Sequence, residues 1–221
     1  DKSILQANHM PDEILHRGDQ IKQIASMLAP VLRGEKTSNL FLYGKTGTGK
    51  TLVAKYVTDN ITEVAKKNNI NLKIIYLNCK LRRVADTEYR LIAQLTRELG
   101  VDLPATGLPT DEVYKTFIKI LEEEKFVLLL ILDEIDQLVH KVGDEILYNL
   151  TRLNSELKNA EISMIGISND LMFIDNVDPR VKSSLSEEEI LFPPYNALQL
   201  KDVELKNFDD DILIIGYLHP A

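Results

Sequence analysis

The chain has 221 residues and a composition that excludes several classes of protein. Apolar residues make up 44% and charged residues 27%, which is ordinary for a globular protein and unlike a disordered or collagenous chain. A formal charge of -8 argues against a surface that attracts nucleic acid everywhere, because non-specific affinity for DNA depends on Lys and Arg meeting phosphates. Any contact with DNA is therefore expected to be local.

Two further features of composition concern the compartment in which the protein works. The single cysteine, Cys79, cannot form an internal disulfide, which fits a reducing compartment. The longest apolar run, residues 126–132, is far shorter than the ~20 residues needed to cross a bilayer. The N-terminus also lacks the layout of a signal peptide. We therefore expect a cytoplasmic protein with no membrane partner.

Strand and helix patterns alternate along the chain and predict one main α/β domain. Helices are expected at residues 17–32, 49–67, 86–99, 110–123 and 144–158. Strands are expected at residues 39–43, 72–77, 126–132, 162–167 and 189–192. Because the runs at 126–132 and 162–167 are continuously apolar, as in strands covered on both faces, we predict a three-layer fold with a central parallel five-stranded sheet flanked by helices.

The end of this domain is marked by Pro193 and Pro194, which forbid regular structure. We place the nucleotide-binding domain at residues 1–195. Residues 196–221 are expected to begin a helix and then to form an isolated apolar stretch at 212–217, and they are too few to form a domain alone.

Eight residues between a predicted strand and a predicted helix form a phosphate-binding motif of the pattern G-x-x-x-x-G-K-[ST]. They are Gly44, Lys45, Thr46, Gly47, Thr48, Gly49, Lys50 and Thr51. The glycines allow backbone N–H groups and the helix N-terminus to point at phosphate oxygens. Lys50 is expected to reach the β- and γ-phosphates, and Thr51 to offer its hydroxyl to Mg²⁺. A glycine-rich turn without a ligand is the alternative to this ATP or ADP site.

Polar residues follow the two central strands at the sheet edge where ligands bind in open α/β folds. Asp133 is expected to hold magnesium, and Glu134 to activate the attacking water. A capping or surface role is the alternative for both. Asp136 is expected to cap a helix. Asn169 is placed to reach the γ-phosphate or the attacking water, or else to cap the segment that follows.

These residues in this order resemble the AAA+ ATPases. Residues 44–51 look like the Walker A motif, 129–134 like the Walker B motif, and Asn169 like the first sensor. Within that family, residues 14–17, 43–50, 132–136 and 178–185 are similar to the archaeal replication initiators, the homologues of origin-recognition and cell-division-control proteins. The resemblance covers roughly residues 11–196, and residues 192–196 strengthen it.

The resemblance implies an ATP-controlled protein that marks replication origins on duplex DNA. It also implies slow, regulatory ATP hydrolysis, other initiator subunits and the replicative helicase as partners, and a place at the nucleoid of an archaeal-type cell. Leu15, His16 and Arg17 look like the segment that lines the adenine pocket, and the resemblance adds Leu52 and Tyr195 to the nucleotide site. Leu15 stands where we expect a proline, and Gly18 where we expect an acidic residue. The alternative is therefore that this segment only leads into the first helix.

The family also has sites for DNA and for a neighbouring subunit. The insertion that touches DNA in these initiators corresponds here to residues 79–111, where Arg82 and Arg83, or Thr106 and Gly107 through their backbone, are possible contacts. A solvated basic face is the alternative for the arginines. Arg180 is a possible inter-subunit residue, but the family's arginine position looks more like Ser184 here, and a structural salt bridge for Arg180 is the alternative.

Residues 196–221 resemble neither the AAA+ lid nor the winged-helix domain that follow in the family, so we expect a truncated or atypical tail with weakened nucleotide binding and hydrolysis. Two other functions remain open. One is a P-loop switch that gates protein association without DNA, and the other is a nucleotide-binding remnant.

Overall fold

The computed structural model describes residues 14–81, 86–104, 107–185, 187–196 and 199, and the backbone of residues 203–208 and 211–216. Its helices are α1 (Gly18–Leu28), α2 (Lys50–Lys67), α3 (Glu88–Glu98), α4 (Thr110–Leu121), α5 (Ile135–Val142), α6 (Glu145–Arg152), α7 (Phe173–Asn176) and α8 (Pro179–Leu185). Its strands are β1 (Leu40–Tyr43), β2 (Leu72–Asn78), β3 (Val127–Asp133), β4 (Glu161–Ser168), β5 (Glu188–Leu191), β6 (Val203–Phe208) and β7 (Asp211–Gly216).

The first five strands form one parallel sheet in the order β2-β3-β4-β1-β5. All seven residues of β3 are buried, because helices cover both faces of the sheet and leave a central strand no solvent-facing side. One apolar cluster packs α3, α4 and α6 against the sheet, and a second packs α1 and α2 against its other face. The predicted three-layer α/β fold with a parallel five-stranded sheet is confirmed.

Two predicted helices are shorter than expected, for local reasons. The helix predicted at 17–32 ends at Leu28 and continues as a 3-10 turn, Ala29–Arg33, where Pro30 lacks the N–H that an α-helix needs. The helix predicted at 144–158 ends at Arg152. There the side chain of Asn154 exchanges two 2.7 Å hydrogen bonds with the backbone of Ile162 and binds the chain to β4.

The tail differs from the sequence-based expectation. The apolar stretch after residue 211 is not isolated: Asp211–Gly216 pairs antiparallel with Val203–Phe208 as a separate two-stranded sheet. The stretch is rich in isoleucine, a β-branched residue that favours strands. In the described ranges, no helix combines the length and apolar character required to cross a membrane.

Candidate functional site

The site residues lie together because three adjacent strands end at one edge of the sheet. Register places Asp133 beside Ile167 and Ser168 beside Tyr43, so β3, β4 and β1 finish side by side. Asp133 ends β3, Asn169 follows β4, and Gly44 follows β1. The structure therefore brings the two acidic residues, the asparagine and the phosphate-binding motif to the same place.

Residues 44–51, here called the phosphate loop, have a backbone that requires glycine at three positions. Gly44, Gly47 and Gly49 have φ values of 154°, 80° and 89°. A Cβ on Gly44 would lie 2.4 Å from the carbonyl oxygen of Phe192, so this glycine also permits a close approach to the chain after β5. The loop leads into α2, whose N-terminus has no side-chain cap. Uncapped N–H groups at a helix N-terminus form a ready anion site.

The ammonium group of Lys50 lies inside the phosphate loop. Its Nζ donates hydrogen bonds to the carbonyl oxygens of Gly44 at 2.8 Å and Lys45 at 2.9 Å, and the residue is only 4% exposed. Burial lowers the pKa of Lys50, and the nearby carboxylates of Asp133, Asp136 and Glu134 oppose that shift. The ammonium thus sits where an anionic phosphate would meet it.

Asp133 and Thr51 form the pair of oxygen groups that a magnesium ion would require. The Thr51 hydroxyl donates to Asp133 Oδ2 at 2.8 Å, and Asp133 is 4% exposed. A buried carboxylate next to a hydroxyl fits the hard oxygen ligands that Mg²⁺ prefers. The residues present therefore fit the ion that the sequence predicts.

Tyr76 is a site residue that sequence reasoning missed. Its hydroxyl donates to Asp133 Oδ2 at 2.5 Å, and the backbone N–H of Glu134 donates to Asp133 Oδ1 at 2.9 Å. Burial and the hydrogen bond to Asp133 raise the pKa of Tyr76 above its ordinary range. The sequence offered only a tyrosine within an apolar strand, and a buried phenol needs a hydrogen-bond partner.

Glu134 stands at the start of α5 in an unusual conformation. Its φ of 53° lies in the left-handed region, which is uncommon for a residue with a side chain and concentrates at functional sites. Its Oε2 lies 3.7 Å from the ammonium of Lys80, which follows β2. The side chain of Glu134 is one-fifth exposed, so water can reach it.

Asp136 does not cap a helix, so that prediction is wrong. It lies within the first turn of α5, after the N-cap residue Glu134. Its Oδ1 accepts a 2.9 Å hydrogen bond from the Ser168 hydroxyl, and its Oδ2 accepts one from the Gln137 amide. A tertiary partner at the end of β4 replaces the expected bond to the helix backbone.

Asn169 lies between the strand ends that carry Asp133 and Gly44, next to Ser168. Of the hydrogen bonds that join described residues, none uses its side chain. Its half-buried carboxamide is therefore available for a ligand.

Residues 15–17, which the resemblance assigns to the adenine pocket, contact the phosphate loop through Arg17. The guanidinium is 2% exposed, donates to the carbonyl oxygen of Thr48, and lies 4.1 Å from the ring centre of Tyr195. Leu15 is half-buried and His16 is exposed with a φ of 58°. Leu52 is half-buried in the first turn of α2.

The residues considered for DNA are placed only in part. Arg82, Arg83 and Thr106 lie outside the described residues. Gly107 is exposed between α3 and α4, with a φ of 109° and open space around its Cα. Its backbone therefore faces solvent.

Arg180 forms a local ion pair of the kind that was the alternative to an inter-subunit role. Its Nε and Nη2 donate to the two carboxylate oxygens of Asp178 at 3.0 and 2.9 Å. The guanidinium also lies 4.7 Å from the ring centre of Tyr148. The hydrogen bonds to Asp178 raise the pKa of Arg180.

Comparisons with known proteins identify the family. The family model described as AAA domain matches residues 33–173. An ORC1-type DNA replication protein of Pyrococcus abyssi is 50% identical over 206 residues, which cover 91% of this chain and 48% of that protein. One of Thermococcus onnurineus is 48% identical over 213 residues, covering 95% of this chain and 51% of that protein.

A solved structure shows the same fold. The Aeropyrum pernix ORC1 protein in complex with DNA is 42% identical and has a TM-score of 0.83, covering 91% of this chain and 51% of that one. The chain thus spans about half the length of the curated relatives it matches. The sequence resemblance to AAA+ initiators is confirmed. The chain belongs to the AAA+ ATPase family, and within that family its relatives are ORC1-type DNA replication proteins.

Proposed function

We propose that the chain is the nucleotide-binding part of a DNA replication initiator that binds ATP with Mg²⁺ and hydrolyses it slowly. The observation that carries this proposal is a complete phosphate loop facing the Thr51–Asp133 pair, in a chain whose relatives are ORC1-type replication proteins. In this proposal Lys50 and the loop N–H groups hold the phosphates, and Thr51 and Asp133 hold magnesium.

Glu134 and Asn169 are the proposed catalytic residues. Glu134 orients and activates the attacking water, and Asn169 contacts that water or the γ-phosphate. Bound nucleotide would then act mainly as a switch, with ADP as the product that remains.

The base of the nucleotide is proposed to lie beside Leu15, His16, Arg17, Leu52 and Tyr195. The position of Arg17 against the loop carbonyl of Thr48 supports this placement, because it puts the segment beside the phosphates. We propose residues 1–195 as the nucleotide-binding domain. The separate pairing of β6 with β7 supports a boundary after β5.

The proposed partners are duplex origin DNA, other initiator subunits and the replicative helicase, at the chromosome inside the cell. The Aeropyrum pernix ORC1 protein was solved in complex with DNA, which supports the first of these. A chain of charge -8 would bind DNA through a small local contact. We place that contact on the loop between α3 and α4, at Thr106 and Gly107, with Arg82 and Arg83 as possible additions.

Selection of genomic DNA tests this proposal. The protein is incubated with Mg-ATP and duplex fragments of the genome of its source, and the retained fragments are sequenced at two salt concentrations. We expect enrichment of a few loci, weaker at higher salt. Uniform recovery of all fragments, or none, would reject the DNA role and favour a switch that gates protein association.

A matched pair of glycine variants locates the contact. Gly107 and Gly143 both have positive φ, at 109° and 91°, and open space around the Cα. Alanine therefore strains both loops alike. We expect Gly107→Ala to weaken DNA binding by about tenfold and Gly143→Ala to leave it unchanged. Equal effects of the two variants would place the DNA contact elsewhere.

A further inference from the structure

The guanidinium of Arg17 is buried beside the phosphate loop, and none of its acidic neighbours among the described residues pairs with it. It is 2% exposed, and no carboxylate within the described part of the chain lies at salt-bridge distance. Among the described residues it contacts two carbonyl oxygens and two aromatic rings. A buried charge without an anion is costly, so its retention calls for a specific explanation.

Arg17 joins two segments that are far apart in the sequence. Its Nε donates to the carbonyl oxygen of Thr48 in the phosphate loop at 2.9 Å, and its Nη2 donates to the carbonyl oxygen of Pro193 at 2.7 Å. The planar fork of a guanidinium suits such a bridge, because its donors point in fixed directions. Arg17 is thus a direct physical link between the phosphate loop and the chain that leaves the sheet after β5.

The same guanidinium also contacts two aromatic rings of residues 192–195, here called the exit segment. The guanidinium carbon lies 4.1 Å from the ring centre of Tyr195 and 5.7 Å from that of Phe192. Cation–π contacts of this kind are strongest when the cation is removed from water, as this buried guanidinium is. The ring of Tyr195 is therefore in direct contact with Arg17.

The exit segment also packs closely against the phosphate loop. The Phe192 N–H donates to the Tyr43 carbonyl at 2.8 Å, just before the loop begins. A Cβ on Gly49 would lie 3.3 Å from the Tyr195 hydroxyl. Because the two segments are in contact at both ends of the loop, a shift of one displaces the other.

We propose that Arg17 is a positioning residue that couples occupancy of the phosphate loop to the exit segment. Phosphate entering the loop rearranges the backbone at Thr48, to which Arg17 is bonded, and brings negative charge close to the guanidinium. Arg17 transmits that change to Pro193 and Tyr195. This role differs from contact with adenine and rests on the proposed binding of nucleotide.

A fluorescence experiment can observe this coupling, because the chain contains no tryptophan. Tyr195→Trp introduces a single reporter that keeps an aromatic ring on Arg17. Its emission is measured alone, with Mg-ADP and with Mg-ATP, while calorimetry measures nucleotide affinity independently. We expect either nucleotide to shift the emission. If calorimetry detects binding and the emission stays constant, the coupling is absent while the proposed function stands. If no nucleotide binds, the proposed function itself fails.

Substitutions of Arg17 in the Tyr195→Trp protein then test the role of the arginine. We expect Arg17→Ala to lower nucleotide affinity about tenfold or more and to remove the emission change even at saturating nucleotide. Arg17→Lys keeps the charge but not the fork, so affinity should be intermediate and the emission change should stay lost. Full recovery of the signal by lysine, or its persistence in Arg17→Ala, would overturn the proposal.

Two controls separate coupling from general damage. Arg33→Ala removes an exposed arginine that pairs with Glu35 away from the site, and it should change neither affinity nor signal. Thermal unfolding verifies that each variant is folded. If Arg17→Ala does not fold, Arg17→Lys decides the question by the same emission readout.

Discussion

The carboxylate of Asp133 accepts three hydrogen bonds, and each donor comes from a different part of the fold. Thr51 lies on α2, Tyr76 on β2, and the backbone N–H of Glu134 at the start of α5. Donors that approach from three directions hold the carboxylate in one orientation. A carboxylate fixed in this way is oriented to bind a cation.

Replacing Tyr76 with phenylalanine tests this arrangement. The variant keeps the ring and loses one bond to Asp133, which is worth roughly 1.5–3 kcal/mol for a charged acceptor. We expect ATP binding to need several-fold more Mg²⁺, measured by titrating the ion at fixed nucleotide. Tyr56→Phe is the matched control, because Tyr56 is a half-buried tyrosine of α2. The same magnesium dependence in both variants would show that Tyr76 does not orient Asp133.

At the level of single residues, the phosphate-binding motif and the acidic residues of the site could be predicted from the sequence. The residues that hydrogen-bond to those acidic residues could not. Lys50, Thr51 and Asp133 are recognisable because each occupies a fixed place in a local pattern. Tyr76 and Ser168 act on acids that lie dozens of residues away, and no local spacing records such contacts. The role of Arg17 likewise depends on Pro193, which is 176 residues away.

At the scale of elements, the end of β2 is fastened to the end of β3. Cys79 donates its backbone N–H to the Asp133 carbonyl at 2.8 Å, and its own carbonyl accepts from Lys141 at 3.1 Å. The thiol is fully buried. Burial raises the pKa of Cys79 from an ordinary 9.0 to about 12. The folded state therefore favours the protonated thiol.

This pKa shift predicts a specific dependence of stability on pH. The contribution of the thiol is complete below about pH 9 and is lost as pH rises toward about 12, because only the unfolded chain ionises in that window. Between pH 8 and pH 10 the free energy of unfolding should fall by about 1.4 kcal/mol more than in Cys79→Ala. Urea denaturation of both proteins at the two pH values measures this difference. Parallel losses would contradict the burial of the thiol.

The elements themselves were largely predictable, because apolar periodicity and caps are local signals. Thr87 caps α3 by accepting from the N–H of Arg90 at 3.2 Å, next to the predicted start. The strand order was not predictable, since it depends on how separate βαβ units pack. The pairing of β6 with β7 was missed for the same reason.

On the surface of the molecule, the guanidinium of Arg180 in α8 is already paired with a carboxylate. Arg180 is held by Asp178 and by the ring of Tyr148, although two-thirds of its side chain is exposed. To reach a neighbouring subunit's nucleotide it would have to leave both partners. We therefore favour hydrolysis that does not depend on this residue.

The concentration dependence of ATP turnover tests that view. We expect the rate of ATP turnover per mole of protein to be independent of protein concentration. Arg180→Ala should keep the wild-type rate within about twofold, as expected for the loss of a surface ion pair. Arg152→Ala is a suitable control, because Arg152 also contacts Tyr148. A rate that rises with concentration in the wild type and not in Arg180→Ala would show that the arginine acts between subunits.

We propose above that residues 44–51 bind Mg-ATP and that Glu134 drives its hydrolysis, and a measurement of phosphate release can test both parts. Release is measured at saturating Mg-ATP for the wild type, Glu134→Gln and the exposed control Glu63→Gln, with affinity measured separately. We expect similar affinities in all three proteins, a wild-type rate in the control, and a rate about 100-fold lower in Glu134→Gln. No binding of Mg-ATP, or equal rates in all three proteins, would contradict it.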